Sequence, residues 1–386
     1  MSRGLLALLV AQFLSAFADN AILFALVAMV LQTAHLADWY VPALQASFLL
    51  AFVLLAPWVG PLADRYPKPQ ILIAGNLVKL AGALLLLTGL EPLLAYALVG
   101  LGAAVYSPAK YGILPELVET DRLVRANAWI EATTIAAILL GTVAGAAVAD
   151  RSVELALGLI AGLYGLSLAA TFLIPPLAAS GATLQHALSE FVSMNRVLWQ
   201  MPRARFALLG GSLFWGSAAL LRVALVAWAP LVLVTRSASD IADLTLFLAI
   251  GVILGSAIAP RLIPLQHLPR ARYVAMLMGL LIIAFSLVDS VWPARLTLLA
   301  IGATGGLFIV PVNATIQDEG HHSIGSGHAV AIQNFFQNVL MLISVGAYTL
   351  LLANDLSVIN AIAGLGVVVI AVIAILPARR LSHPAD

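Results

Sequence analysis

Twelve long apolar runs constrain this chain more than any other feature of its sequence. A helix needs about 20 apolar residues to cross the hydrocarbon core of a bilayer. Runs of this kind, bounded by charges and prolines, extend approximately over residues 5–31, 43–63, 70–90, 93–114, 126–149, 153–174, 206–234, 241–260, 272–289, 294–317, 326–352 and 357–376. Because the runs are continuous and do not alternate, they argue against a membrane β-barrel. The sequence therefore predicts an all-α integral membrane protein with twelve transmembrane helices.

The overall composition agrees with this prediction. The 386 residues are 62% hydrophobic and only 10% charged, whereas roughly a quarter of the residues of a soluble domain are charged. The net charge is +1 and no basic run is present, so nucleic-acid binding has no support. The chain has no cysteine, which excludes disulfides, thiol catalysis and cysteine metal sites.

The distribution of basic residues gives the orientation. With the amino terminus placed in the cytosol, thirteen of the 19 lysine and arginine residues fall in cytosolic segments and only three in outer loops. Such a bias is the positive-inside pattern of membrane proteins. Because the number of crossings is even, we expect both termini in the cytosol.

Asp19 and Asn20 interrupt the first apolar run. A signal peptide offers one interpretation, because the apolar residues before Asp19 end in a small-residue pattern, Ala16-x-Ala18. However, residues 21–31 are again apolar and too short to span the bilayer alone, and removal of the segment would spoil the topology. We therefore interpret the run as the first membrane helix, with two polar residues at its centre.

The crossings form two groups of six, separated by the longest polar interruption. We predict an N-terminal six-helix bundle over residues 1–175, a cytosolic linker over 176–205, and a C-terminal six-helix bundle over 206–386. Apolar residues in the linker lie near helical spacing. The linker is therefore either an amphipathic helix on the inner leaflet or a loosely structured connection.

The two halves resemble each other in sequence. "YSPAKYGILPE" ends the fourth crossing and "IVPVNATIQDE" ends the tenth, which aligns Glu116 with Glu319. Paired six-helix halves are typical of transporters whose site lies near the bilayer midplane.

Two pairs of glycines are spaced four residues apart within predicted crossings. They are Gly141 with Gly145, and Gly251 with Gly255. Small residues at this spacing allow membrane helices to approach closely. We expect both pairs to pack helices and not to bind substrate.

The segment "GPLADRYPK" follows the second crossing and resembles the loop signature of the major facilitator superfamily. We assign a gating role to Gly60, Asp64, Arg65 and Lys68. Gly60 would let helices approach closely, and Asp64 would face the positive end of a helix or a base. Contacts of this kind can form in one transport state and break in the other. The alternative is a plain cytosolic anchor.

Longer segments carry a closer resemblance. "AQFLSAFADNAILFA", "GAAVYSPAKYGILPEL", "EATTIAAILLGTVAG", "GGSLFWGSAALLRVALVAW" and "VPVNATIQDEG" resemble the bacterial lysophospholipid transporter family of the major facilitator superfamily. The resemblance implies inward movement of lysophosphatidylethanolamine-type lipids across a bacterial inner membrane. It also implies a functional link to a separate acyltransferase that restores the second chain.

Five charged residues fall at depth within predicted crossings: Asp19, Lys79, Lys110, Glu131 and Arg222. An ionisable group there is costly unless it is paired or faces water, and such groups suit a ligand that carries a phosphate. We expect Lys110 and Arg222 to bind the phosphate, while Asp19 and Glu131 face an ammonium group or balance the bases.

Blander roles for the same residues remain open. Asp19 could only pair with Lys79 or Arg222, and Lys79 and Glu131 could be structural partners. The candidate neutral hydrogen-bonding residues of the site are Asn20, Tyr106, Ser107, Gln333 and Asn334. Gln333 and Asn334 could instead hydrogen-bond between helices.

Two other functions compete with lysophospholipid transport. One is a proton-coupled exporter of amphipathic drugs, in which Asp19 titrates; the other is a membrane-embedded lipid-modifying enzyme. No catalytic constellation supports the enzyme, and no nucleotide-binding loop supports ATP-driven transport. We expect a monomeric transporter without cofactor or metal; proton coupling stays undecided.

Overall fold

A computed structural model describes residues 3–32, 39–118, 123–177, 187–235, 237–324 and 326–376. These residues form helices and turns, without a β-strand among them. The α-helices are α1 (Arg3–Gln32), α2 (Tyr40–Arg65), α3 (Lys68–Leu87), α4 (Pro92–Gly112), α5 (Leu114–Leu117), α6 (Leu123–Ala149), α7 (Val153–Thr171), α8 (Ala187–Gln200), α9 (Pro202–Val232), α10 (Ala238–Leu262), α11 (Ala271–Phe285), α12 (Val291–His321), α13 (Ser326–Ala353) and α14 (Val358–Ile375). A 3-10 helix, Leu265–Arg270, precedes α11.

The predicted membrane helices are present in the described residues. Eleven helices there are long and apolar enough to cross a membrane. The remaining predicted crossing coincides with α6, a helix of 27 residues whose described apolar part is Ala136–Ala149. The short helices α5 and α8 lie outside this set. The all-helical membrane fold expected from the sequence is therefore confirmed.

Several membrane helices extend beyond the apolar runs that predicted them. Helix α9 begins at Pro202 and has 31 residues, which makes it roughly 45 Å long at the usual rise of about 1.5 Å per residue. A bilayer's hydrocarbon core is only about 30 Å thick. The polar ends of such helices continue past the hydrocarbon region, where hydropathy gives no signal.

Prolines within the membrane helices do not end them. Pro57 and Pro61 lie inside α2, Pro108 inside α4 and Pro311 inside α12. Proline is tolerated in membrane helices because neighbouring groups satisfy the backbone atoms that it frees. Helix α12 accordingly runs to His321, beyond the predicted end near residue 317.

The chain divides into two compact units. The first comprises Met1–Leu36, Ala43–Ser189 and Ser237–Ala242, and the second comprises Ala37–Pro42, Glu190–Arg236 and Asp243–Asp386. In the first unit, α1 packs against α6 and α7, and α3 packs against α4 and α7. In the second, α9 packs against α12 and α13, and α11 packs against α12 and α14. The first helix of each half, α1 or α9, is buried along most of its length.

The glycine pairs lie where two helices touch. A Cβ added at Gly141 or Gly145 of α6 would collide with the backbone of Phe17 or Ala21 on α1. In the second unit, the backbone of α12 leaves equally little room at Gly251 and Gly255. The predicted packing role of these glycines is confirmed.

Candidate functional site

A buried ion pair lies at the centre of the first unit. Lys79 Nζ of α3 lies 2.7 Å from Asp19 Oδ2 of α1. The Lys79 side chain is only 2% exposed and that of Asp19 is 20% exposed. Both residues fall near the middle of helices that are apolar enough to span a membrane. A lone charge at this depth would cost several kcal/mol, so each residue makes the other tolerable.

Two further side chains hold this ion pair in place. The Tyr164 hydroxyl of α7 donates to Asp19 Oδ1 at 2.8 Å. Lys79 donates a second hydrogen bond to Ser15 Oγ on α1 at 2.9 Å. Charge-assisted hydrogen bonds are stronger than neutral ones. The four groups therefore fix α1, α3 and α7 relative to one another.

The polar network continues from Ser15 to Asn76. The Ser15 hydroxyl donates to Asn76 Oδ1 at 3.1 Å. The Asn76 amide in turn donates to Ser167 Oγ at 3.0 Å and to Thr171 Oγ1 at 3.3 Å. Ser167 completes the chain by donating to the Ala11 carbonyl at 2.7 Å. Such a connected network inside a low-dielectric core specifies one arrangement of the helices.

Tyr106 of α4 borders the ion pair. Lys79 Nζ lies 4.8 Å from the centre of the Tyr106 ring, within range of a cation–π interaction. Tyr106 is 2% exposed, and its hydroxyl has no hydrogen-bond partner within the part of the chain that the structure describes. An unpaired buried hydroxyl is costly, so this atom offers a contact point for a polar ligand.

Close packing of α3 and α4 puts Tyr106 beside Lys79. A Cβ added at Gly102 of α4 would lie 2.6 Å from the Gly75 carbonyl oxygen and 2.8 Å from Lys79 Cγ. Only glycine leaves room for the lysine stem to pass at this point. The small residues of both helices thereby determine which side chains meet.

The other predicted site residues of the first unit belong to α1, α4 and α6. Asn20 is half-buried, and its amide donates to the Ala16 carbonyl at 2.9 Å. Ser107 and Lys110 are half-buried near the carboxyl end of α4. Glu131 belongs to α6, but its side chain lies outside the described residues.

The predicted site residues of the second unit are Gln333, Asn334 and Arg222, and they differ in burial. Gln333 of α13 is buried and donates to Asn313 Oδ1 of α12 at 3.0 Å, so it joins two helices. Asn334 is exposed, and Arg222 is half-buried on α9. Arg222 and Asp19 belong to different units, so the predicted shared phosphate site stays a prediction.

The predicted gating segment has one strong contact among its described side chains. Lys68, the first residue of α3, forms an ion pair with Glu116. Arg65 lies 5.7 Å from the centre of the neighbouring Tyr66 ring. An added Cβ at Gly60 would meet no described atom within 4 Å, so the close helix approach expected at Gly60 stays a prediction. The Asp64 side chain lies outside the described residues.

The aligned glutamates of the two halves make equivalent ion pairs. Glu116 pairs with Lys68 at the start of α3. Glu319 pairs with Arg203 at the start of α9, where Nε lies 3.2 Å from Oε1 without an aligned hydrogen bond. Each half therefore holds a glutamate, from α5 or from the end of α12, against a base at the beginning of a membrane helix.

Sequence reasoning missed several residues of the network: Ser15, Asn76, Tyr164, Ser167 and Thr171. Each is a polar residue within an apolar run. Their spacing contained a usable signal, since Asn76 precedes Lys79 by three positions and Ser15 precedes Asp19 by four. Residues at these separations share one face of a helix.

The comparison with protein families agrees with the fold. The family model described as Major Facilitator Superfamily matches residues 8–345. The chain belongs to the major facilitator superfamily. Two solved transporters confirm the fold alone. Nucleoside transporter NupG has a TM-score of 0.74 and 11% identity, covering 99% of this chain and 98% of that chain. A POT family transporter in complex with 5-aminolevulinic acid has a TM-score of 0.72 and 15% identity, covering 97% of this chain and 95% of that chain.

Relatives with much higher identity indicate which branch of the superfamily the chain resembles. A lysophospholipid transporter LplT of Photorhabdus laumondii is 44% identical over 370 residues, covering 95% of this chain and 93% of the relative. The LplT of Yersinia pestis (strain Pestoides F) is 45% identical over 354 residues, covering 91% of this chain and 87% of the relative. The family resemblance found in the motifs is therefore confirmed. The chain is a membrane transporter and not an enzyme.

Proposed function

We propose that this chain is an alternating-access transporter that moves lysophospholipids from the outer to the cytosolic leaflet of a bacterial inner membrane. The high identity to lysophospholipid transporters over nearly the whole chain supports this substrate class. The observation on which the proposal most depends is the polar cluster around Asp19 and Lys79, buried at mid-helix within an otherwise apolar unit.

The charged residues have different roles in our proposal. Lys79 already faces a carboxylate at 2.7 Å and is almost fully buried, so it positions Asp19 and does not supply positive charge to a ligand. In our proposal the lipid phosphate is bound by Lys110 and Arg222, with Arg222 offering two parallel donors. The Tyr106 ring borders the cluster and Asn20 follows Asp19 in α1; in our proposal the Tyr106 hydroxyl and Asn20 contact the polar headgroup.

Gating is proposed for the cytosolic segment that contains Asp64, Arg65 and Lys68. The ion pair between Lys68 and Glu116 supports this role, because a contact at the end of a membrane helix can break when that helix moves. We further propose that both termini are cytosolic, that residues 176–205 link two six-helix halves, and that the transporter acts as a monomer.

The proposed direction of transport connects this chain to lipid repair. A lysophospholipid that reaches the cytosolic leaflet becomes a substrate for a separate acyltransferase, which restores the second acyl chain. The described residues contain no group of three or more histidine, aspartate or glutamate side chains able to hold a metal. Transport in our proposal uses no cofactor.

Reconstitution into liposomes tests the function directly. Labelled lysophosphatidylethanolamine, a cationic dye and the chemical integrity of the lipid are followed in parallel. We expect lysophospholipid movement that exceeds that of protein-free liposomes, without covalent change to the lipid. Movement of the dye alone would favour a drug exporter, and altered lipid would favour an enzyme; either result would overturn the proposal.

A further inference from the structure

Helix α8 presents an exposed apolar face beside a membrane helix. Leu188, Val192 and Trp199 are all exposed, and their separations of four and seven residues place them on one face. Helix α8 ends at Gln200, and the membrane helix α9 begins at Pro202. This end of α8 is therefore held at the surface of the membrane, where an apolar helix face with a tryptophan is stabilised by lipid.

Two aromatic contacts fix α8 against α13. The Phe191 and Phe335 rings meet edge to face, with centroids 5.2 Å apart. The Trp199 and Phe336 rings stack with centroids 5.3 Å apart. Aromatic pairs at such distances contribute beyond their buried area. The orientation of α8 on this unit is thus determined at both ends of the helix.

A cleft of about 520 Å³ lies between the helices. It is lined by Val192, Asn195, Arg196, Trp199, Gln200 and Phe336. This volume is within the range of small-molecule sites, roughly 300–1,000 Å³. The lining combines apolar walls with amide groups and one cation, a composition that suits a molecule with both an apolar and an anionic part.

Arg196 determines the charge of this cleft. Its guanidinium forms no ion pair with a carboxylate of the described residues, and the cleft lining contains no acidic residue. Glu190, the acidic residue in the first turn of α8, does not line the cleft. An arginine on an amphipathic helix at a membrane surface attracts anionic lipid and can bind phosphate with two parallel hydrogen bonds.

We propose that the cleft between α8 and α13 binds the phosphodiester headgroup of an anionic membrane phospholipid. Arg196 binds the phosphate, Asn195 and Gln200 contact the polar part of the headgroup, and Trp199 with Phe336 contacts its glycerol and acyl carbons. The site differs from the cluster around Asp19 and takes a resident lipid of the leaflet that α8 faces. By the distribution of basic residues, this leaflet is the cytosolic one.

A fluorescent label beside the cleft provides the test. The chain has no cysteine, so Leu188→Cys, one turn before Val192, gives a single attachment point for bimane on the full-length protein. The labelled protein is reconstituted into two sets of phosphatidylcholine vesicles. One set contains phosphatidylglycerol brominated near the carbonyl end of the acyl chain, and the other contains the same fraction of phosphatidylcholine brominated at that position. We expect brominated phosphatidylglycerol to quench about fivefold more effectively, the effect of one basic residue on an anionic lipid.

Charge variants assign this preference to the cleft. Arg196→Gln should abolish the preference for phosphatidylglycerol, and Arg196→Lys should keep most of it. Arg261→Gln, which removes an exposed cation at the end of α10, should leave it unchanged. Equal quenching by both lipids in the parent protein, or an unchanged preference in Arg196→Gln, would overturn the proposal.

Two further measurements distinguish a lipid site from a soluble anion site and from a helix that stands clear of the bilayer. A preference that disappears when inorganic phosphate is added would indicate a soluble anion site and contradict the lipid assignment. Absence of quenching by either lipid would show that α8 does not contact the bilayer, which also overturns the proposal. Lysophospholipid movement by Arg196→Gln should stay near the parent rate, so this proposal and the proposed function can fail independently.

Discussion

Lys79 Nζ lies 2.7 Å from Asp19 Oδ2, although the two residues are 60 positions apart in sequence. The pair joins α1 to α3 in the interior of one unit, and Tyr164 joins α7 to the same carboxylate. A sequence-based interpretation left open whether Asp19 pairs with Lys79 or with Arg222. The structure gives Asp19 a partner within its own unit.

Loss of one partner of this pair should destabilise the protein strongly. Asp19→Asn or Lys79→Gln leaves one uncompensated buried charge, which typically costs about 3–5 kcal/mol. The double variant Asp19→Asn with Lys79→Gln should recover most of that loss, because no charge remains unpaired. Denaturant unfolding in detergent measures the free energy of unfolding of all three variants. Simple additivity of the two single effects would contradict a direct pair.

The two tyrosines around the pair should respond differently to removal of their hydroxyls. Tyr164→Phe removes a hydrogen bond to a charged group and should cost about 1.5–3 kcal/mol of stability. Tyr106→Phe removes a buried hydroxyl without a described partner, so stability should stay the same or rise.

The rate of transport tests the proposed role of Tyr106 in substrate binding. If the Tyr106 hydroxyl contacts the headgroup, Tyr106→Phe should reduce lysophospholipid movement while thermal stability is kept. A Tyr106→Phe protein that transports at the parent rate would remove Tyr106 from the proposed site.

Asp150 provides a pH-dependent contribution to stability outside the membrane helices. Its carboxylate accepts hydrogen bonds from the Ala238 and Ser239 backbone N–H groups at 2.8 and 2.9 Å, and from the Ser237 and Ser239 hydroxyls at 2.9 and 2.7 Å. It therefore caps the amino terminus of α10. Burial alone would raise the pKa of Asp150, but these hydrogen bonds outweigh it and lower the pKa below its ordinary value.

The sign of the effect follows from this lowered pKa. The charged form is favoured in the folded state, so the contribution is complete above the unfolded-state pKa and is lost as pH falls through the folded-state pKa. Asp150→Ala should cost about 1 kcal/mol at neutral pH, and less below the unfolded-state pKa. Thermal unfolding across this pH range compares the variant with the parent. A difference that does not shrink at low pH would contradict the assignment.

The ion pair between Lys68 and Glu116 offers a test of gating. Glu116→Gln takes a carboxylate away from the buried Lys68, so it should cost more stability than loss of a fully exposed ion pair, and it should also slow transport. Exchange of the two charges, Lys68→Glu with Glu116→Lys, should restore part of the rate. Full activity of Glu116→Gln would indicate a plain anchor.

The sequence predicted the membrane helices because a continuous apolar run is a local property. It also located Asp19 and Lys79, since a charge within such a run is conspicuous. Their pairing depends on the packing of α1, α3 and α7, which local patterns do not specify. Asn76 and Ser167 were missed for a related reason, because small polar residues are common in membrane helices and become informative only when their partners are known.

The role of Gly60 in gating stays a prediction. A glycine in a recognised motif suggests close helix packing, but open space surrounds this position in the described structure. Gly141 and Gly145 were predicted correctly, because a four-residue spacing within one apolar run places both on a single packing face. The spacing, and not the residue type alone, carried the information.

The most direct test of the proposed mechanism is the rate of lysophosphatidylethanolamine movement in proteoliposomes that contain Lys110→Ala or Arg222→Ala. Loss of a charge-assisted contact costs about 1.5–3 kcal/mol, so each variant should lose about tenfold or more of the rate while it stays folded. Arg151→Ala, which removes an exposed cation in a loop, should transport like the parent. Parent-like rates in both site variants would contradict binding of the lipid phosphate by Lys110 and Arg222.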